Sequence, residues 1–328
     1  MEFKYSISIL FSNLGYTLKI LLWILISSLL ALALGAAIIL PIWDVLASTC
    51  DLSVHVEAIK DGIAMVWDGS LSIRTALREI IVEIRQLFAA TLSNPGVATG
   101  LAFAVLLVYA FYCFVFGLSY YNISDIINKL MASNYRIGFA SNLALNFRKA
   151  CKYSAARLSM TLPIDVVFFV IIASILFGLF DYVGFFVIPI LLVTGVLICT
   201  LRAVFLSGWL PRMLFHPEEK VYTSFSRSLT YVKSNIGGLF KSFVVTFSIV
   251  YLFSTAFAIP TGGLISLILP SLYYFMLRAI ELIGYYKTKG LSFYTDGTTV
   301  INTVEYGYRS EQQLQSAQEY DQESGNEF

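Results

Sequence analysis

From Ile20 to Trp43 the chain carries no charged residue. A helix crossing a hydrocarbon core of about 30 Å needs about 20 predominantly apolar residues, and this run supplies them without interruption. It is longer than the apolar part of a cleaved secretory leader, and its basic lead-in is only Lys4 and Lys19. It therefore reads as a retained anchor.

Similar runs recur at 97–121, 158–180, 183–210, 240–259 and 264–286. Asp181-Tyr182-Val183-Gly184 reads as the turn between the third and fourth, and Pro260-Thr261-Gly262-Gly263 as the turn between the fifth and sixth. Composition agrees: 58% of residues are hydrophobic and 13% charged, with a mean hydropathy of +0.76. Soluble domains run near about 25% charged, so lipid is the expected solvent for the excess apolar surface. The fold class expected is an all-α integral membrane protein of six transmembrane helices, arranged as three helical hairpins within 1–286.

Lys and Arg placement orients such a chain. The 124–157 segment holds Lys129, Arg136, Arg148, Lys149, Lys152 and Arg157 against Asp125. The 211–241 segment holds Arg212, Lys220, Arg227, Lys233 and Lys241 against Glu218 and Glu219. Both read as cytoplasmic. The 44–96 loop is acid-rich, with Asp44, Asp51, Glu57, Asp61, Asp68, Glu79 and Glu83 against Lys60, Arg74, Arg78 and Arg85, and reads as the outside. Both termini then lie in the cytoplasm. Trp43 falls at the outer interface and Tyr120, Tyr121, Trp209, Tyr285 and Tyr286 at the inner one, as aromatic belts require.

The outer loop contains an amphipathic helix over 72–92. Ile73, Leu77, Ile80, Ile81, Ile84, Leu87 and Phe88 recur at helical spacing, with charges on the other faces. It reads as a lid on the bundle or the outer interface, or as a docking face for a membrane-protein partner. After the last span, 287–308 reads as a short β-hairpin turning at Asp296-Gly297, a pair that favours a two-residue type I′ turn. Residues 309–328 are acidic, rich in Gln and Ser, and expected to be disordered, with partner binding as a further possible role.

Ser12-Asn13-Leu14-Gly15 with Lys19 and Ser234-Asn235-Ile236-Gly237 with Lys241 fit one pattern, S-N-[LI]-G-x-x-[LF]-K. Duplication of a lead-in plus hairpin explains this, and so does convergence of interfacial segments on the same residue types. Phe225-Ser226-Arg227-Ser228-Leu229, followed by Lys233-Ser234-Asn235 and Leu239-Phe240, resembles the lead-in of the membrane domain found beside some bacterial glycerophosphodiester phosphodiesterases and of related multi-span proteins. The resemblance covers about residues 120–285. It implies an architecture and a bacterial cytoplasmic membrane. It implies no activity, because the soluble catalytic domain is missing.

Ionisable residues at bilayer depth are the candidate functional positions. They are Asp165, Arg202, Arg278 and Glu281. Asp165 and Arg202 lie at about equal distances from the 181–184 turn and can pair; Arg278 and Glu281 are i,i+3 on one helix face. The four read either as a charge layer that fixes helix register, or as an anion or headgroup site in which Arg202 and Arg278 bind. A proton relay through Asp165 and Glu281 is a third reading. Pro163 and Pro260 read as span-end residues, Pro189 and Pro270 as span-interior ones.

No nucleophile–base pair or metal-ligand spacing is present. His55 and His216 are far apart, and of Cys50, Cys113, Cys151 and Cys199 only Cys50 falls outside. No catalysis and no cofactor or metal are expected. A net charge of +1 gives no field for nucleic acid. Membrane lipid is the expected environment. The functional expectation is a non-catalytic subunit or assembly factor of a membrane complex, with a transporter or lipid-handling permease as the alternative.

Overall fold

A computed structural model describes residues 2–43, 47–48, 52–258, 264–296 and 298–303. The chain is helical almost throughout: α1 (Glu2–Ser12), α2 (Leu14–Ile39), α3 (Leu52–Trp67), α4 (Ile73–Ser93), α5 (Pro95–Ser133), α6 (Phe139–Val183), α7 (Val187–Leu206), α8 (Trp209–Phe215), α9 (Val221–Ala258) and α10 (Leu264–Thr288). Short 3-10 turns follow α2 at Leu40–Ile42 and α6 at Gly184–Phe186. A small antiparallel hairpin, β1 (Phe293–Tyr294) and β2 (Val300–Ile301), closes the described chain.

Among the described residues, five helical segments are long and apolar enough to cross a membrane: Leu14–Ile39, Pro95–Ser133, Phe139–Phe180, Val187–Phe215 and Val221–Phe257. The most apolar window of the third has a mean hydropathy of 2.5, yet none of it is buried inside the protein. Leu22, Leu29, Phe103, Phe169 and Leu252 likewise face outward. Apolar surface on this scale needs an apolar solvent. The protein is an all-α, multi-pass membrane protein.

The helices exceed the spans read from hydropathy. α5 runs on to Ser133, α6 begins at Phe139 and α9 at Val221. Their charged ends continue the backbone hydrogen bonding without the apolar run that marks a crossing. This moves two prolines. Pro163 lies deep inside α6, whereas Pro189 sits in the first turn of α7, where its missing N–H leaves no helical bond unmade. Pro270 is interior to α10. The Pro260–Gly263 turn, Cys50 and the 309–328 tail lie outside the described residues.

The chain divides into two compact units. One comprises Leu25–Val115 and Leu158–Gly195. Here 44–96 holds a second helix not read from the sequence, α3, paired with α4. Ser72 caps α4 by accepting from the Thr75 N–H at 3.2 Å. His55 Nδ1 stands 2.6 Å from Glu83 Oε2 across the two helices. α4 packs on the α6–α7 corner: Ile81 is buried with Phe180 and Val187, Phe88 meets Phe177 at 5.7 Å, and Arg85 donates to the Phe177 carbonyl. The corner turns at Gly184, whose φ of +55° is open to glycine at little cost.

The other unit comprises Met1–Ile24, Phe116–Arg157 and Val196–Phe328. Its apolar core joins Leu239, Phe243, Leu277, Ile280 and Val204 from α9, α10 and α7. Trp209 is fully buried between Tyr153 (5.2 Å) and Phe225 (4.8 Å), and its indole N–H donates to the Val221 carbonyl. α1 is tied to α9 and α10 through Glu2, which takes Lys287 at 3.0 Å and the Ser242 hydroxyl at 3.3 Å. The β-hairpin docks through Phe293 against Tyr5 and Tyr286. Its strands pair Phe293 with Ile301 and Tyr294 with Val300, so the connection is longer than a two-residue turn. Asp296 Oδ1 accepts from the N–H groups of Thr298 (2.8 Å) and Thr299 (2.6 Å), which favours the wider loop.

The two S-N-[LI]-G segments differ locally. Asn13 breaks the chain between α1 and α2, whereas Asn235 lies within continuous α9. In both, the asparagine amide donates to the carbonyl four residues back, Ile9 or Tyr231.

Candidate functional site

Arg278 and Glu281 lie one turn apart on α10, and Arg278 Nη1 stands 2.8 Å from Glu281 Oε2. The side chains are 7% and 0% exposed. The carboxylate engages Arg278 by charge alone: among the described residues neither of its oxygens receives a well-aligned hydrogen bond. The helix spacing that makes these residues neighbours was legible in the sequence.

A third charge joins them from another helix. Arg157 of α6 is buried, its guanidinium carbon 4.1 Å from the centre of the Tyr120 ring of α5. The Arg278 guanidinium approaches the same ring at 4.9 Å. Tyr120 packs on Phe116 and Tyr274, at 6.4 and 5.2 Å. The cluster thus sets two guanidiniums against an electron-rich ring, which stabilises cations held away from water, with the Glu281 carboxylate beside Arg278.

Of the other positions read from the sequence, Asp165 accepts a hydrogen bond from the Tyr109 hydroxyl at 2.8 Å in its own unit. Arg202 belongs to the other unit, with Arg278 and Glu281. Arg157 and Tyr120 were not singled out, because hydropathy places both at a membrane edge where Arg and Tyr are ordinary.

A second polar group, also missed, locks the end of α5 to the start of α6. Lys129 Nζ donates to Asp125 Oδ2 (2.7 Å) and to Asn142 Oδ1 (2.6 Å). Asn142 donates to Asn122 Oδ1 at 2.8 Å, and Asn122 to the Phe139 carbonyl at 3.0 Å. Asn146 adds a second donor to Asp125 Oδ2 at 2.9 Å. A third group surrounds Glu219 in the link between α8 and α9. It accepts from Arg212 Nε (2.8 Å) and Nη2 (2.6 Å), Arg227 Nη1 (2.7 Å) and Ser224 Oγ (3.1 Å). The fork from Arg212 foremost, with Arg227 and Ser224, holds its carboxyl down at about 2.

Among the described residues no group of His, Cys, Asp and Glu side chains is placed to hold a metal ion. The geometry defines a class: a multi-pass helical membrane protein with buried charged side chains. Comparison with protein-family models, curated proteins and solved structures finds no match to this chain.

Proposed function

We propose that the chain is a non-catalytic subunit or accessory factor of a membrane complex. The observation that carries this reading is the closure of the Arg278–Glu281 pair, at 7% and 0% exposure. A transport or catalytic site needs its charges open to a ligand; a scaffold needs them compensated. α10, with Arg278 and Glu281 inside it, is the sixth crossing. The basic 124–157 and 211–241 segments support placing both termini on the cytoplasmic side. The α3–α4 hairpin supplies the outer contact surface for a partner.

The second reading is a transporter or lipid-handling permease with a cytoplasm-facing anion or headgroup site. The convergence of two buried guanidiniums, Arg157 and Arg278, on the Tyr120 ring favours it. The two separate in one comparison. The full chain, extracted from its native membrane in mild detergent, is sized and its cross-linked neighbours identified; the purified chain alone is then tested in proteoliposomes for anion flux. An accessory subunit runs in a stoichiometric assembly and carries no flux. A lone particle that passes anions overturns the proposal.

A further inference from the structure

A separate feature lies where α2 begins. Ser12, Gly15 and Lys19 line one side of an open groove of about 380 Å³, and Arg136 and Gly138 line the other. No carboxylate lines it among the described residues, and neither Lys19 nor Arg136 makes an ion pair among them. Both side chains are exposed.

The segments that carry the two cations are tied together. The Tyr16 hydroxyl donates to the Ile137 carbonyl at 2.7 Å, tying α2 to the segment that carries Arg136. Lys19 Nζ stands 5.1 Å from the centre of the Tyr16 ring. Asn134, in the left-handed region at φ 51°, turns the chain after α5 so that Arg136 reaches the groove. Lys19 is also the last charge before the uncharged run to Trp43. It therefore stands at headgroup level, with exposed Leu18 and Leu22 beginning the lipid-facing side of α2.

We infer that this groove binds a phosphate-bearing anion, presented by an anionic lipid headgroup or free in solution. The inference does not rest on the function proposed above, since it uses none of the residues of the Arg278–Glu281 cluster. Two cations and no acid in the lining suit a phosphate.

The test uses the full chain reconstituted in phosphatidylcholine nanodiscs with or without phosphatidylglycerol, with bound lipid counted by native mass spectrometry. Wild type retains phosphatidylglycerol, and the Lys19→Gln/Arg136→Gln double variant retains about tenfold less with phosphatidylcholine unchanged. Gly15→Leu is expected to lower retention without altering charge, because Gly15 lines the groove and a side chain there meets nothing within 4 Å. Inorganic phosphate is titrated in parallel in pure phosphatidylcholine. Protection of wild type but not the double variant against thermal unfolding, with no lipid difference, assigns the site to free phosphate. Lipid retention and phosphate protection both unchanged in the folded double variant overturn the inference.

Discussion

The guanidinium carbon of Arg157 lies 4.1 Å from the centre of the Tyr120 ring, joining a cation that begins as a helix lead-in to the aromatic wall of α5. The ring, rather than the hydroxyl, makes this contact. Tyr120→Phe keeps the ring contact and gives up only the hydroxyl's bond to Tyr274, so it is expected to lose less than Tyr120→Leu, which loses about 2 kcal/mol or more, the worth of a desolvated cation–π contact. Equal losses for the two in detergent unfolding would show that the hydroxyl matters instead.

The asparagine lock makes a different prediction. Asn142 is fully buried and both donates to Asn122 and accepts from Lys129. Asn142→Ala leaves the Asn122 side-chain carbonyl without its donor while Lys129 keeps Asp125, and an unsatisfied buried polar group costs about 1–3 kcal/mol. Hydrogen exchange across 122–146 should rise in that variant while 239–247 in α9 stays protected.

Glu219 predicts a pH response. Its carboxyl is held at about 2 against an ordinary 4.5. A depressed carboxylate contributes stability that is complete above its unfolded value and is lost as pH falls through its folded one. Wild type minus Glu219→Gln, measured as exchange protection of 216–227, should be constant above about pH 4.5 and shrink towards about pH 2. A difference that grows on acidification would reverse the assignment.

Close packing is testable at Gly117. A Cβ there would stand 3.0 Å from Ser154 Cα on α6 and closer still to its side chain. Backbone on the far side cannot yield as a flexible side chain can. Gly117→Val is expected to destabilise by about 1–3 kcal/mol through overpacking, with Gly195→Val, which meets nothing within 4 Å, as the tolerated control.

The membrane class was legible because a crossing demands length and apolarity together, and segments such as 20–43 satisfy both. Interfacial continuations were not, since a helix end in the headgroup region carries the charges and glycines of a loop; α6 starts at Phe139 for that reason. α3 was hidden by Lys60, Asp61 and Gly62, which interrupt its apolar face. The Arg278–Glu281 pair was visible because helical spacing alone makes it. Arg157 and Tyr120 meet only through the packing of α5 on α6, which no local pattern encodes.

The most direct measurement of the central claim, that the α10 charges are a closed structural clasp, is a double-mutant cycle on Arg278→Met and Glu281→Leu read as folded yield and detergent thermal stability. Removing one partner of a buried pair costs about 3–5 kcal/mol, while replacing both with packed apolar groups is often near neutral. Each single variant is expected to lose stability and the double to recover part of the loss, the remainder reflecting Arg157, which stays buried beside the Tyr120 ring. Arg278→Met folding as well as wild type would contradict the clasp and leave Arg278 free to serve a ligand.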